Sequence, residues 1–139
     1  MKIKDIYKTT AWKYFSRYIL LKYANKDYIV NCSTSGVWLK ITDKNCHCGH
    51  YIKAHDHYSV LFDETNVAPQ SYAENRFKSG NQIAMRKFLV EKHGIDAIER
   101  MEIKKYNTCH IDKFYIDQMT IIYKKKFNDL VKIKGNPWK

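Results

Sequence analysis

Apolar side chains return at helical spacing between residues 11 and 25: Trp12, Phe15, Ile19, Leu20 and Tyr23 share a side, with Lys13, Arg17 and Lys22 elsewhere. Such a stripe belongs to an amphipathic helix that buries one face. Thr10 is placed to cap its start, and Asn25 to Asp27 end it. Core packing accounts for Trp12 and Phe15. Residues 1–10 are polar and basic and are expected to fray or lie along the surface. The pattern then shortens. Residues 28–32 (Y-I-V-N-C) are β-branched, 33–36 are turn-like, and 37–42 (V-W-L-K-I-T) alternate apolar and polar, which predicts a small hairpin leading into an extended stretch over 46–53. Pro69 marks 63–70 as a turn region, and 71–77 has room for one or two helical turns. Residues 82–92 predict a helix closed by Gly94 in the C-cap region. A second helix follows over 95–103. A long one over 111–133 stops at Gly135-Asn136-Pro137. No repeat or linker interrupts the chain, so 1–139 reads as a single domain. Its parts are an N-terminal helix (11–26), a strand-rich centre (28–81) and a helical C-terminal part (82–133).

Charge narrows the function. The chain carries 25 Lys+Arg against 14 Asp+Glu, a net +11, interleaved with 11 tyrosines and 3 tryptophans. A folded domain this basic suits nucleic acid before an anionic surface or an acidic protein. No apolar run approaches the roughly 18 residues of a membrane span, so no membrane partner is expected. The start has no signal-peptide pattern. Cysteines 32, 46, 48 and 109 make no evident disulfide framework and read as reduced thiols or metal ligands. The expected location is a cytoplasm, the host's if the chain is phage-encoded.

Chemistry concentrates in residues 46–81, which hold four of the six histidines and two of the four cysteines. Cutting a phosphodiester needs a base to activate water, a cation to stabilise charge, and a group that holds the base in one tautomer. His50 late in a strand, Asn66 in the connection and Asn75 in a short helix supply that order of residue types. A lone histidine or loop asparagine is weak evidence; the combination carries the argument.

The blocks G-H-Y (Gly49 to Tyr51), F-D-E-T-N-V-A-P-Q (Phe62 to Gln70) and N-R-F-K-S-G-N (Asn75 to Asn81) resemble the phage NinG (Rap) recombination nucleases, within the His-Me finger group that includes HNH and endonuclease VII-like enzymes. The layout is similar over about residues 10–105. The resemblance implies an α+β fold: a small ββα-metal nuclease core over 28–81 with flanking N-terminal and C-terminal helices. It implies metal-dependent cleavage of branched or structured DNA, such as a Holliday junction, D-loop or flap, with Mg²⁺ or Mn²⁺. By position His50 is the general base, Asn66 the central asparagine that orients it, and Asn75 a metal ligand. Lys78 and Asn81 sit in a turn near the phosphate backbone. Lys53, Arg76, Arg86 and Lys87 are further DNA-binding candidates, and Tyr51 and Tyr72 are candidates for stacking on unpaired bases or, equally, for core packing. Cutting both strands of a symmetric branch needs two sites, so a homodimer is expected, with the long C-terminal helix either at its interface or packed on the chain's own core.

Two departures stand out. The family places Cys-x-x-Cys pairs where this chain reads Cys32-Ser33-Thr34-Ser35 and Ser71-Tyr72-Ala73-Glu74. With three of four thiolates missing, no structural zinc is expected there. Some relatives carry an aspartate three residues before the histidine; here that position is His47, a second metal candidate and a weaker Mg²⁺ ligand than a carboxylate. Asp56 or Asp63 are possible substitutes, and His55 and His57 add ligands of unassigned role. Two other classes stay open: a DNA-binding module of the same fold with weakened catalysis, and a basic protein that binds an acidic host partner.

Overall fold

The first long helix forms where its stripe predicts. In the computed structural model, which describes residues 1–76 and 81–139, helix α2 spans Thr10–Tyr23 and follows a short helix α1, Ile3–Ile6. The cap is Thr9 rather than Thr10: its Oγ1 accepts from Trp12 N at 3.2 Å. Of the two expectations for residues 1–10, the segment lies along the surface rather than fraying, pinned by Ile6, which is fully buried beside Ala11 and Phe15. Phe15 is the hub of this layer, with its ring edge-on to Phe62 at 5.3 Å and to Tyr123 at 4.7 Å. Tyr123 belongs to the last helix, α6, Lys113–Lys134, which lies along α2 and buries Ile116, Tyr123 and Phe127. It starts two residues later than the apolar pattern predicts, because the Asp112 side chain accepts from Tyr115 N at 2.9 Å and caps it there.

The chain between these helices forms two antiparallel two-stranded sheets. Strands β1 (Ile29–Asn31) and β2 (Trp38–Lys40) pair with Val30 opposite Leu39. Strands β3 (Cys46–His50) and β4 (Val67–Ser71) pair with Cys46 opposite Ser71 and His50 opposite Val67. The first hairpin forms as the pattern predicts, in its own sheet, and the chain turns into β3 after it. One expectation is corrected here: residues 67–71 are a strand and not a turn, despite Pro69. In a two-stranded sheet every strand is an edge, so a missing N–H can face outward; the Pro69 carbonyl still accepts from Ser33 N at 2.9 Å. Helix α3, Tyr72–Arg76, follows β4 directly, giving a strand–strand–helix unit. Gly49 of β3 lies against the buried Gln70 side chain, which a Cβ at position 49 would strike.

Helices α4 (Gln82–His93) and α5 (Ile95–Lys104) close the remaining face through Met85, Leu89, Ile98 and Met101, packed on Ile52, Val60 and Ala68. The fold class is α+β, as expected. Among the described residues no helix is long and apolar enough to cross a membrane.

A further long-range contact ties α6 to α2. Lys134, near the end of α6, donates to Leu21 O at 2.7 Å, Lys22 O at 3.3 Å and Ala24 O at 2.7 Å. A cation thus satisfies the carbonyls that α2 leaves open at its C-terminus. Lys134→Met should lower unfolding free energy by about 1–3 kcal/mol, read as a lower urea midpoint with an unchanged slope.

Candidate functional site

A cleft of about 600 Å³ opens along β3, lined among others by Trp12, His47, Cys48, His50, Asn75 and Arg76. Side chains alternate along the strand. Cys46, Cys48 and His50 face α2, while His47 faces α3. The two histidines reach the same cleft from opposite faces.

His50 is held on two sides. Its Nε2 lies 2.9 Å from Leu61 O, and Trp12 stacks on the ring at 5.3 Å with planes 25° apart. A carbonyl oxygen only accepts, so Nε2 carries the proton and Nδ1 keeps its lone pair. Burial pushes the imidazole pKa down to about 4, against the opposing Leu61 hydrogen bond and with help from the Lys53 charge. The ring is therefore neutral at physiological pH, with its lone pair on Nδ1.

On the other face, Asn75 Nδ2 donates to His47 Nδ1 at 3.1 Å. Tyr72 stands edge-on to His47 at 5.3 Å, and burial lowers the His47 pKa. These are two neutral donors, and a half-turn of the amide presents its oxygen in place of its nitrogen. They are the two sequence-predicted metal candidates, and the structure brings them into direct contact. Among the described residues no group of three or more His, Cys, Asp or Glu is arranged to hold a metal. Neither aspartate substitutes for the absent carboxylate. Asp63 Oδ1 accepts from Thr65 N and Oδ2 from Lys104 Nζ. Asp56 pairs with His55 at 3.2 Å and faces a different cleft.

Asn66 is fully buried in the 3-10 turn Glu64–Asn66. Its hydrogen bonds go to the loop backbone and not to the imidazole. Oδ1 accepts from Ile52 N at 2.8 Å, and Nδ2 donates to Ile52 O and Val60 O, both at 3.1 Å. One amide closes the loop over 52–60 and so positions the next residue, Leu61, whose carbonyl holds His50.

The two stretches where thiolate pairs were considered do meet. Cys32 Sγ accepts from Ser71 N at 3.3 Å, and Glu74 N donates to Ser71 Oγ at 3.3 Å. Burial raises the Cys32 pKa, but hydrogen bonds from the Ser35 side chain and from the Ser71, Thr34 and Ser35 backbones outweigh it and bring the thiol to about 7. Cys46 is pushed up to about 12, and Cys48 is raised too, by burial in both cases.

The cationic candidates divide. Arg76 lines the histidine cleft, Lys87 lines a second cleft, and Lys53 lines both. Arg86 also lines the second cleft, but it is engaged: Nε and Nη2 bind the Glu102 carboxylate at 2.8 and 3.0 Å, and Tyr51 Oη donates to the same carboxylate at 2.6 Å. Asn81 takes a left-handed conformation (φ 46°) at the start of α4 and donates to Glu74 Oε1 at 3.0 Å. Lys78 lies outside the described residues.

Over residues 1–134 the chain matches the family model described as Bacteriophage Lambda NinG protein. It belongs to the NinG family. It is similar to Protein ninG of Salmonella phage P22, with 31% identity over 77 residues, covering 55% of this chain and 36% of that protein. The match thus spans about a third of the phage P22 protein's length. No solved structure matches the chain.

Sequence reasoning missed the two groups that grip His50. Trp12 reads as core from its helical spacing, and it does pack on Phe15, yet it also stacks on the histidine. The Leu61 carbonyl is backbone and leaves no signal in side-chain identity.

Two outcomes follow. Asn66→Asp turns a donor toward two carbonyl oxygens into an acceptor and should cost about 2–5 kcal/mol, seen by chemical denaturation. The folded pKa of His50 lies below its unfolded value of about 6.5, so the unfolded state binds more protons between those values. Stability should fall as pH drops from about 6.5 toward 4. His47 and His93, also lowered by burial, act in the same direction. His50→Gln should remove a part of that slope on the order of 1–3 kcal/mol, measured by denaturation at stepped pH.

Proposed function

We propose that the histidine cleft hydrolyses phosphodiester bonds in DNA, acting on branched or structured DNA during phage recombination. The observation that carries this reading is the His50 arrangement: Nε2 hydrogen-bonded to Leu61 O, a neutral ring, and Nδ1 left as the acceptor, in a cleft shared with His47 and Asn75. Family membership supports the phage context. The strand–strand–helix unit β3–β4–α3 supports a ββα-metal core of the His-Me finger kind.

In this reading a backbone phosphate enters the cleft and is met by Lys53 and Arg76. His50 Nδ1 takes the proton of the attacking water, while the Nε2 hydrogen bond keeps the ring aimed and shares its growing positive charge with the Leu61 carbonyl. Trp12 limits rotation of the ring and excludes solvent from one face. His47 and Asn75 would hold a divalent cation, which supplies stabilisation of charge on the phosphate and the leaving oxygen. With nitrogen and amide donors in place of a carboxylate, Mn²⁺ suits the pair better than Mg²⁺. A second copy of the chain would provide the second cut of a symmetric branch, and Phe114 and Ile121, 72% and 64% exposed on α6, offer it a surface.

A second reading, a DNA-binding module with weakened catalysis, draws on the lack of a carboxylate beside His50 and on the direct His47–Asn75 hydrogen bond. One experiment separates the two: cleavage of labelled four-way junction, fork and duplex DNA with Mg²⁺ and with Mn²⁺. The nuclease reading expects cleavage, stronger with Mn²⁺. His50→Ala should slow it by about 10²–10⁴-fold while a gel shift on the same DNA persists. Cleavage that survives in His50→Ala removes His50 as the base, and no cleavage by the unaltered chain with either metal leaves the binding module. His47→Asp should move the metal preference toward Mg²⁺.

A further inference from the structure

A second cleft, of about 740 Å³, runs between α4 and the loop that follows β3, and takes in Lys105 just beyond α5. Lys53 lines this cleft and the histidine cleft alike, so one side chain borders both. Three lysines, Lys53, Lys87 and Lys105, face it. Arg86 is neutralised by Glu102. The three lysines face two lining carboxylates, Asp56 and Glu91, so the excess charge is positive.

The rest of the lining is Tyr51, Ile52, His57, Gln82, Ile83 and Val90, apolar or aromatic apart from the Gln82 amide. Ile83 is 89% exposed on α4. Tyr106, 76% exposed, stands beside the cleft with the Lys105 ammonium 5.0 Å from its ring centre and the His57 ring 6.4 Å away. His57 Nδ1 donates to Lys105 O at 3.2 Å and ties the loop to this segment. Tyr106 under the Lys105 ammonium, and Ile83 exposed on the cleft wall, suit a ligand with flat apolar faces and regularly spaced negative charge. Unpaired nucleotides have both: base faces for Tyr106 and Ile83, phosphates for the lysines. A duplex hides its base faces within the stack and offers these side chains nothing but phosphate.

We propose that this second cleft binds a single-stranded arm of the DNA whose adjoining phosphate lies in the histidine cleft, with Lys53 at the crossing point. The proposal rests on the reading of the histidine cleft as a DNA site, but it is tested by binding alone. Fluorescence anisotropy with the full chain in EDTA compares a blunt duplex, the same duplex with a single-stranded arm of about ten nucleotides, and that arm made double-stranded. The single-stranded arm should raise affinity, and the double-stranded arm should raise it less. Tyr106→Ala combined with Lys105→Ala should cut the gain from the single-stranded arm by about fivefold or more. His50→Ala should keep the gain, since that residue does not line this cleft. The proposal is overturned if the single-stranded arm brings no gain, if a double-stranded arm brings the same gain, or if the double variant loses the same factor on the blunt duplex. Absent cleavage with the arm-dependent gain intact removes the nuclease reading and leaves the second cleft standing.

Discussion

One buried amide sets the geometry of the site. Asn66 is fully enclosed and uses Oδ1 and both Nδ2 hydrogens on the backbone at the two ends of the loop over 52–60. No other side chain of that length offers one acceptor and two donors in a plane. An unpaired polar group at this depth costs more than the hydrogen bonds return, so the loop closes in one way. Closing it fixes where Val60 ends and Leu61 begins, and the Leu61 carbonyl then selects the tautomer of His50. The residue that positions the histidine thus acts through backbone two steps away.

Around that loop, helix α2 serves as both core and wall. Its inner face packs Phe15 against Phe62 and Tyr123. One turn earlier Trp12 carries the same aromatic layer out to the His50 ring. Burial by these rings is what drives the imidazole pKa down. The packing that stabilises the fold therefore also sets the protonation state of the site. Cys46 and Cys48 share that buried face, which explains why their thiols are raised while Cys32, surrounded by N–H and O–H donors, is lowered.

The net charge of +11 overstates how many cations are free to meet a ligand. Lys22 and Lys126 converge on Glu64, Lys104 pairs with Asp63, and Arg86 is held by Glu102. These pairs hold α2, α4, α5 and α6 to their neighbours. Lys53, Lys87 and Lys105 line clefts, and no ion pair with another described residue is found for any of the three. Proximity in sequence would not have separated Arg86 from Lys87; position on the helix does, because only Arg86 reaches across to α5.

The apolar spacing of α2, the glycine after α4, and the strand positions of His47 and His50 are local properties, and residue type alone made them legible. Period and cap chemistry depend on near neighbours. So did the order His50, Asn66, Asn75, since Asn75 falls in a helix that follows its strand. Tertiary structure decided the rest. Pro69 lies in a strand because β4 is an edge, a fact about sheet pairing that proline itself cannot signal. Residues 1–10 are ordered because Ile6 finds Phe15 in the packed core. His47 meets Asn75 across 28 positions of chain, and the Leu61 carbonyl meets His50 only once Asn66 has closed the loop. Identity and spacing name the groups able to do the chemistry; which atoms face one another depends on contacts that the chain makes only when folded.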